Sequence, residues 1–180
     1  MGWPVAAFAD LDWRRIDVCA IVIDGGIATI DERRHPACRK WLQRHGYEID
    51  TFDCRPGLAV AVPELGRMLC WQQQFGYSLG PDSRNLSALR DGFQFTIPKG
   101  GGRVFEIIRA DLAWQEDADW LCGLLSIVQE QSRRQLALGR RFFALLVVPE
   151  QSPLIDAVIR ETTVPYPFSH PCREIHEFVR

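Results

Sequence analysis

Short apolar runs alternate along this chain with segments in which apolar residues recur every three or four positions, so strands and helices are expected in turn. Residues 18–23, VCAIVI, form a β-branched run closed by Asp24-Gly25-Gly26, and IATI follows at 27–30. This pattern predicts a strand or an opening hairpin. From Asp31 the sequence turns polar, with Cys38, Trp41 and Leu42 spaced along it, and Gly46 follows Arg44 and His45. Basic residues in a last turn and then glycine are helix stop signals. YEIDTFDC at 47–54 alternates apolar and acidic positions as a half-buried strand does. A second helix is expected from about Val62 to Gln74, with Leu65, Met68 and Leu69 as its buried stripe. It requires Pro63 in the first turn, where the missing N–H breaks no bond.

The segment 75–93 is a loop punctuated by glycine and proline that leads into a short amphipathic stretch. Leu86, Leu89 and Phe93 fall on one side of it, and Arg84, Ser87 and Asp91 on the other. VFEII at 104–108 predicts a buried strand, and Trp120 to Leu138 a long helix stopped by Gly139. FFALLVV at 142–148 is a continuous apolar run, as expected of a strand covered on both faces. Strands alternating with helices imply an α/β fold with a small parallel or mixed sheet. The organisation expected is one domain over 1–180, with an N-terminal strand-helix unit at 1–46, a core at 47–148 and a C-terminal tail at 149–180.

Composition narrows the classes. The chain has 180 residues, 47% hydrophobic and 24% charged, the usage of a packed globule. A formal net charge of -2 supplies no global basic field to hold a phosphate backbone, so no direct nucleic-acid partner is expected. The opening residues lack a basic region before a long apolar stretch, and no uninterrupted apolar run reaches bilayer length. A cytoplasmic protein without membrane contact is the expectation. Six scattered cysteines then remain reduced.

Candidate chemistry is sparse. No nucleophile elbow, dinucleotide fingerprint, phosphate loop or paired-histidine metalloprotease motif is present. His170, Cys172 and His176 match no standard structural zinc site. Cys38 with His35 or His45 offers a nucleophile and a base on one short helix, with no orienting acid nearby in sequence. Residues 103–119 carry Glu106, Asp111, Glu116, Asp117 and Asp119 against two arginines, which reads as a solvated loop and helix start and as the best local source of negative potential. Arg133, Arg134, Arg140 and Arg141 suit the end of a helix. Catalytic residues, metal and cofactor are accordingly not expected. The alternative is a small hydrolase or transferase built on the cysteines and histidines.

From Tyr47 onward, the order strand, helix, aromatic-glycine loop, short helix, strand, long helix, strand resembles the barstar family of ribonuclease inhibitors. Asn85-Leu86-Ser87-Ala88-Leu89-Arg90-Asp91 is the sharpest local match, with Phe75-Gly76-Tyr77 upstream of it. VFEIIRADLAW, ADWLCGLLSIV and GRRFFALLVV resemble the family's central strand, last helix and last strand, so the likeness covers roughly residues 47–148. His170-Pro171-Cys172-Arg173-Glu174 is the nearest match to the ending of longer bacterial members. The resemblance implies an immunity or antitoxin protein whose acidic short helix fills the active site of a nuclease or other toxin. It places partner-binding roles on Tyr77, Arg84, Ser87, Asp91 and Asp119. Ser87 stands where the family carries an acid.

Overall fold

The structure, a computed structural model, describes residues 15–80, 85–98, 101–152 and 154. Four strands form its centre: β1 (Ile27–Asp31), β2 (Tyr47–Asp53), β3 (Gly102–Ile108) and β4 (Arg141–Val148). They lie in the order β1-β4-β3-β2, with every neighbouring pair parallel. Parallel neighbours need crossover connections, and helices supply them. These are α1 (Ile16–Val18), which runs on into a π-helical turn (Cys19–Ile23), α2 (His35–Arg44), α3 (Leu58–Met68), α4 (Trp71–Phe75), α5 (Leu86–Gly92), α6 (Ala110–Glu116) and α7 (Ala118–Ala137). The fold is α/β.

Both faces of the sheet are covered, which is why all eight residues of β4 are buried. Phe52, Phe105, Ile107, Phe142, Ala144 and Leu146 point into the larger core, where α3 to α7 pack. Val104, Phe143, Leu145 and Val147 point the other way, into a smaller core closed by Ala20, Ile21 and Leu42 from the N-terminal layer. The period of two along each strand sends alternate residues to these two layers.

Three local expectations are corrected. Residues 18–23 are helical, and the only strand here is Ile27–Asp31. An apolar run of that length does not distinguish a strand from a buried helical turn. Here the run instead buries Ala20 and Ile21 in the smaller core. Pro63 sits at the sixth position of α3, in the helix interior. The carbonyl it leaves without a donor, that of Ala59, is on an exposed residue and can turn to water. The helix expected over 62–74 is two helices, α3 and α4, broken at Cys70, whose φ of 53° is left-handed. Gln74 donates from Nε2 to the carbonyls of Leu69 (2.6 Å) and Gly92 (3.1 Å), tying the break to the end of α5.

Candidate functional site

α5 begins where its sequence can cap it. The Asn85 side chain accepts from the backbone N–H groups of Ser87 (2.9 Å) and Ala88 (3.2 Å), which otherwise have no partner in a first turn. Its inner side is fixed at both ends. Leu89 and Phe93 are buried, and Phe93 packs edge-on against Phe105 of β3 and Phe142 of β4. Leu86 lies over Gly123 of α7, where any side chain would collide with it. Near the other end, Arg90 meets Glu130 of α7 at 3.0 Å. Both partners are more than half exposed, so this ion pair adds little stability and mainly marks where the helices run side by side.

With the inner side fixed, Ser87 and Asp91 face solvent. Gly92 packs on Trp71 and Phe75, whose rings are 4.3 Å apart, and Tyr77 stands 6.1 Å from each of them with 47% of its surface exposed. Asp119 precedes Gly123 by four residues and Glu130 by eleven, so it lies on the same stripe of α7, one turn beyond the Leu86 contact. Tyr77, Ser87, Asp91 and Asp119 thus border one exposed face of α4, α5 and α7. Arg84 lies outside the described residues.

The acidic run 103–119 is less solvated than its composition suggests, because its members are occupied one by one. Asp111 is buried and takes a two-point contact from Arg109 at 2.8 and 2.9 Å. Glu116 accepts from the Leu58 N–H at the start of α3 (2.9 Å), and Asp117 caps α7 through the Trp120 N–H (3.0 Å). Asp119 is left. Among the described residues neither its carboxylate nor that of Asp91 takes part in an ion pair or side-chain hydrogen bond.

Glu106, the remaining member, is the residue that sequence reasoning missed. It is fully buried in the middle of β3, facing the smaller core. Its Oε1 is 2.5 Å from Nε2 of His35, and its Oε2 accepts from Arg39 and from the Thr51 hydroxyl (2.9 Å). Burial pushes the Glu106 carboxyl up, but the bonds and charges of His35, Thr51 and Arg39 outweigh this and hold it below the usual carboxylate range. The signal was a lone glutamate inside an otherwise apolar strand, VFEII. Such a residue must bring partners with it.

Glu106 is also the orienting acid that His35 lacked in the sequence. Burial and the Glu106 charge push the Cys38 thiol up to about 11, which disfavours its thiolate. His45 is elsewhere, stacked on Trp41 at 3.9 Å. A second buried carboxylate, Asp17, holds the N-terminal layer to the sheet. It accepts from Arg15 and the Tyr47 hydroxyl, and lies 3.4 Å from Arg141. Burial, the Asp17 charge and this bond raise the Tyr47 hydroxyl well above the ordinary phenol range.

No protein-family model matches the chain, and searches of curated proteins and of solved structures found no match either. Among the described residues no group of three or more histidine, cysteine or carboxylate side chains is placed to hold a metal ion. His170, Cys172 and His176 lie outside the described residues. No described helix is long and apolar enough to cross a membrane.

Proposed function

We propose that this chain is a protein-binding inhibitor of the barstar-like kind, a cytoplasmic immunity or antitoxin protein that covers the active site of a nuclease. The observation that carries this reading is the pair of uncommitted carboxylates, Asp91 and Asp119, on the α4–α5–α7 face. A carboxylate already paired within its own fold has little to offer a partner. A free one on a rigid helix can meet the arginine, lysine or histidine that a nuclease uses to hold phosphate. Tyr77 adds a large ring at low entropic cost. Ser87 supplies a hydroxyl, and Arg84 belongs to the same set by its sequence position. The three parallel strands β2, β3 and β4, in chain order with α5 and α7 between them, suit the same reading.

The test is copurification from the native cell followed by affinity measurement on variants. Asp91→Ala changes an exposed side chain, so stability should move by less than about 0.5 kcal/mol. Affinity for the captured partner should fall by on the order of 2 to 5 kcal/mol if the carboxylate is buried against a cation in the complex. Asp119→Ala should behave alike. A partner bound as tightly by the double variant as by the parent would refute this face as the interface.

A further inference from the structure

The parallel sheet gives the molecule two chemically different ends. All four strands begin at one end, and α2 and α7 arrive there just before β2 and β4. Tyr47, Gly102 and Arg141 are register partners across β2, β3 and β4, so β2 and β4 start two strand spacings apart, about 10 Å, with α2 reaching this end on the face of the smaller core and α7 on that of the larger. Lys40 and Arg44 lie one turn apart on α2, and Arg133, Arg134 and Arg140 close α7 and its turn. All five are exposed, and among the described residues none is in an ion pair. At the opposite end, where strands finish and the next helices start, Asp31, Asp53 and Asp111 are each paired with an arginine of that end, Arg34, Arg55 and Arg109, and Glu116 and Asp119 lie beside them. A net charge of -2 averages over this separation and conceals it.

We infer that the basic end binds the phosphate backbone of a single-stranded nucleic acid. Four of the five free cations are arginines, whose planar forks match phosphate oxygens in two-point contacts. The linear sequence shows no aromatic residue among Arg133, Arg134 and Arg140, but the fold brings one to this end. His45 is exposed beside Arg44, its ring held flat on Trp41 at 3.9 Å, and Arg15 covers Trp41 at 5.8 Å. A supported, exposed ring next to free cations is a platform on which an unpaired base stacks, and a duplex has no unpaired base to give it. An acidic polypeptide would use the cations and leave the ring idle. This surface is distinct from the α4–α5–α7 face, so the two proposals stand or fall separately.

The test uses the full chain and a labelled oligouridylate of about 20 nucleotides, read by fluorescence anisotropy across a salt series. Saturable binding at low salt is expected, with log K falling against log salt at a slope of about -3 for some four phosphates. Arg44→Glu with Arg140→Glu should weaken binding at least tenfold and flatten the slope. Arg133→Gln with Arg134→Gln should act in the same direction without reversing charge. His45→Ala should lower affinity several-fold at an unchanged slope, the signature of lost stacking. Asp91→Ala with Asp119→Ala should bind the oligonucleotide as the parent does. Absence of saturable binding at low salt, equal displacement by polyglutamate, or variants that bind like the parent would overturn the inference.

Discussion

Glu106→Gln keeps the shape of a buried side chain and removes only its charge, which makes it the sharpest probe of the smaller core. In the parent, one carboxylate with no exposed surface serves His35, Arg39 and Thr51. Removing one member of a buried ion pair typically costs about 3 to 5 kcal/mol because the other charge is stranded. Here the stranded cation is less confined, since the Arg39 and His35 side chains are 35% and 17% exposed and can turn toward water. The glutamine oxygen also still accepts from Thr51 or Arg39. A loss of about 2 kcal/mol at pH 7 is therefore expected, a Tm drop of roughly 4 to 8 °C for a chain of this size. The pH dependence supplies the control. The folded carboxyl is held below its ordinary range, so its contribution is complete above the unfolded pKa of about 4.3 and is lost as pH falls through the folded value. The gap between parent and variant in urea unfolding should thus be full at pH 7 and close under acid. A variant as stable as the parent at pH 7 would refute the argument, and a gap that persists unchanged in acid would assign the loss to packing and not to charge.

Asn85→Ala removes the cap of α5 and should cost about 1 kcal/mol in thermal unfolding. Under the proposed function, partner affinity should fall with it, because Ser87 and Asp91 ride on that helix. Burial pushes the Asp24 carboxyl up to about 6, so its ionisation opposes folding. Stability should therefore decline as pH rises from about 4 toward 6, and Asp24→Asn should flatten that part of a stability-against-pH curve. A decline of equal size in the variant would assign it to another group.

How much of this was legible in the sequence depends on how local the cause is. β4 could be read because eight consecutive buried residues need no information from elsewhere. α5 could be read because its cap and its inward leucines lie within a few residues of one another. The helical state of 18–23 could not, because a six-residue apolar run suits a strand and a buried helical turn alike, and only the packing of Ala20 and Ile21 into the smaller core separates them. Glu106 looked like one more solvated acid because its compensation comes from His35, 71 residues away, and from Arg39, 67 residues away. The same distance hid which acids were spent. Asp111, Glu116 and Asp117 are indistinguishable from Asp119 by composition and differ only in what the fold sets against them. The break at Cys70 is a left-handed residue without a glycine to announce it.

The pairing of β1 with β4 has a temporal consequence. Ile27 sits beside Ala144, so the first strand of the sheet waits for the last, and the pieces on either side of β4 have no hydrogen-bonded link until that strand exists. On a ribosome, the N-terminal layer emerges early and holds Ala20, Ile21 and Ile30 without the surface that will bury them. Its docking must wait for β4 to emerge, across a long loop whose closure entropy must be met first. Slow, late acquisition of protease resistance by this layer, following that of the helices around α7, is the folding history that such a strand order writes into the chain.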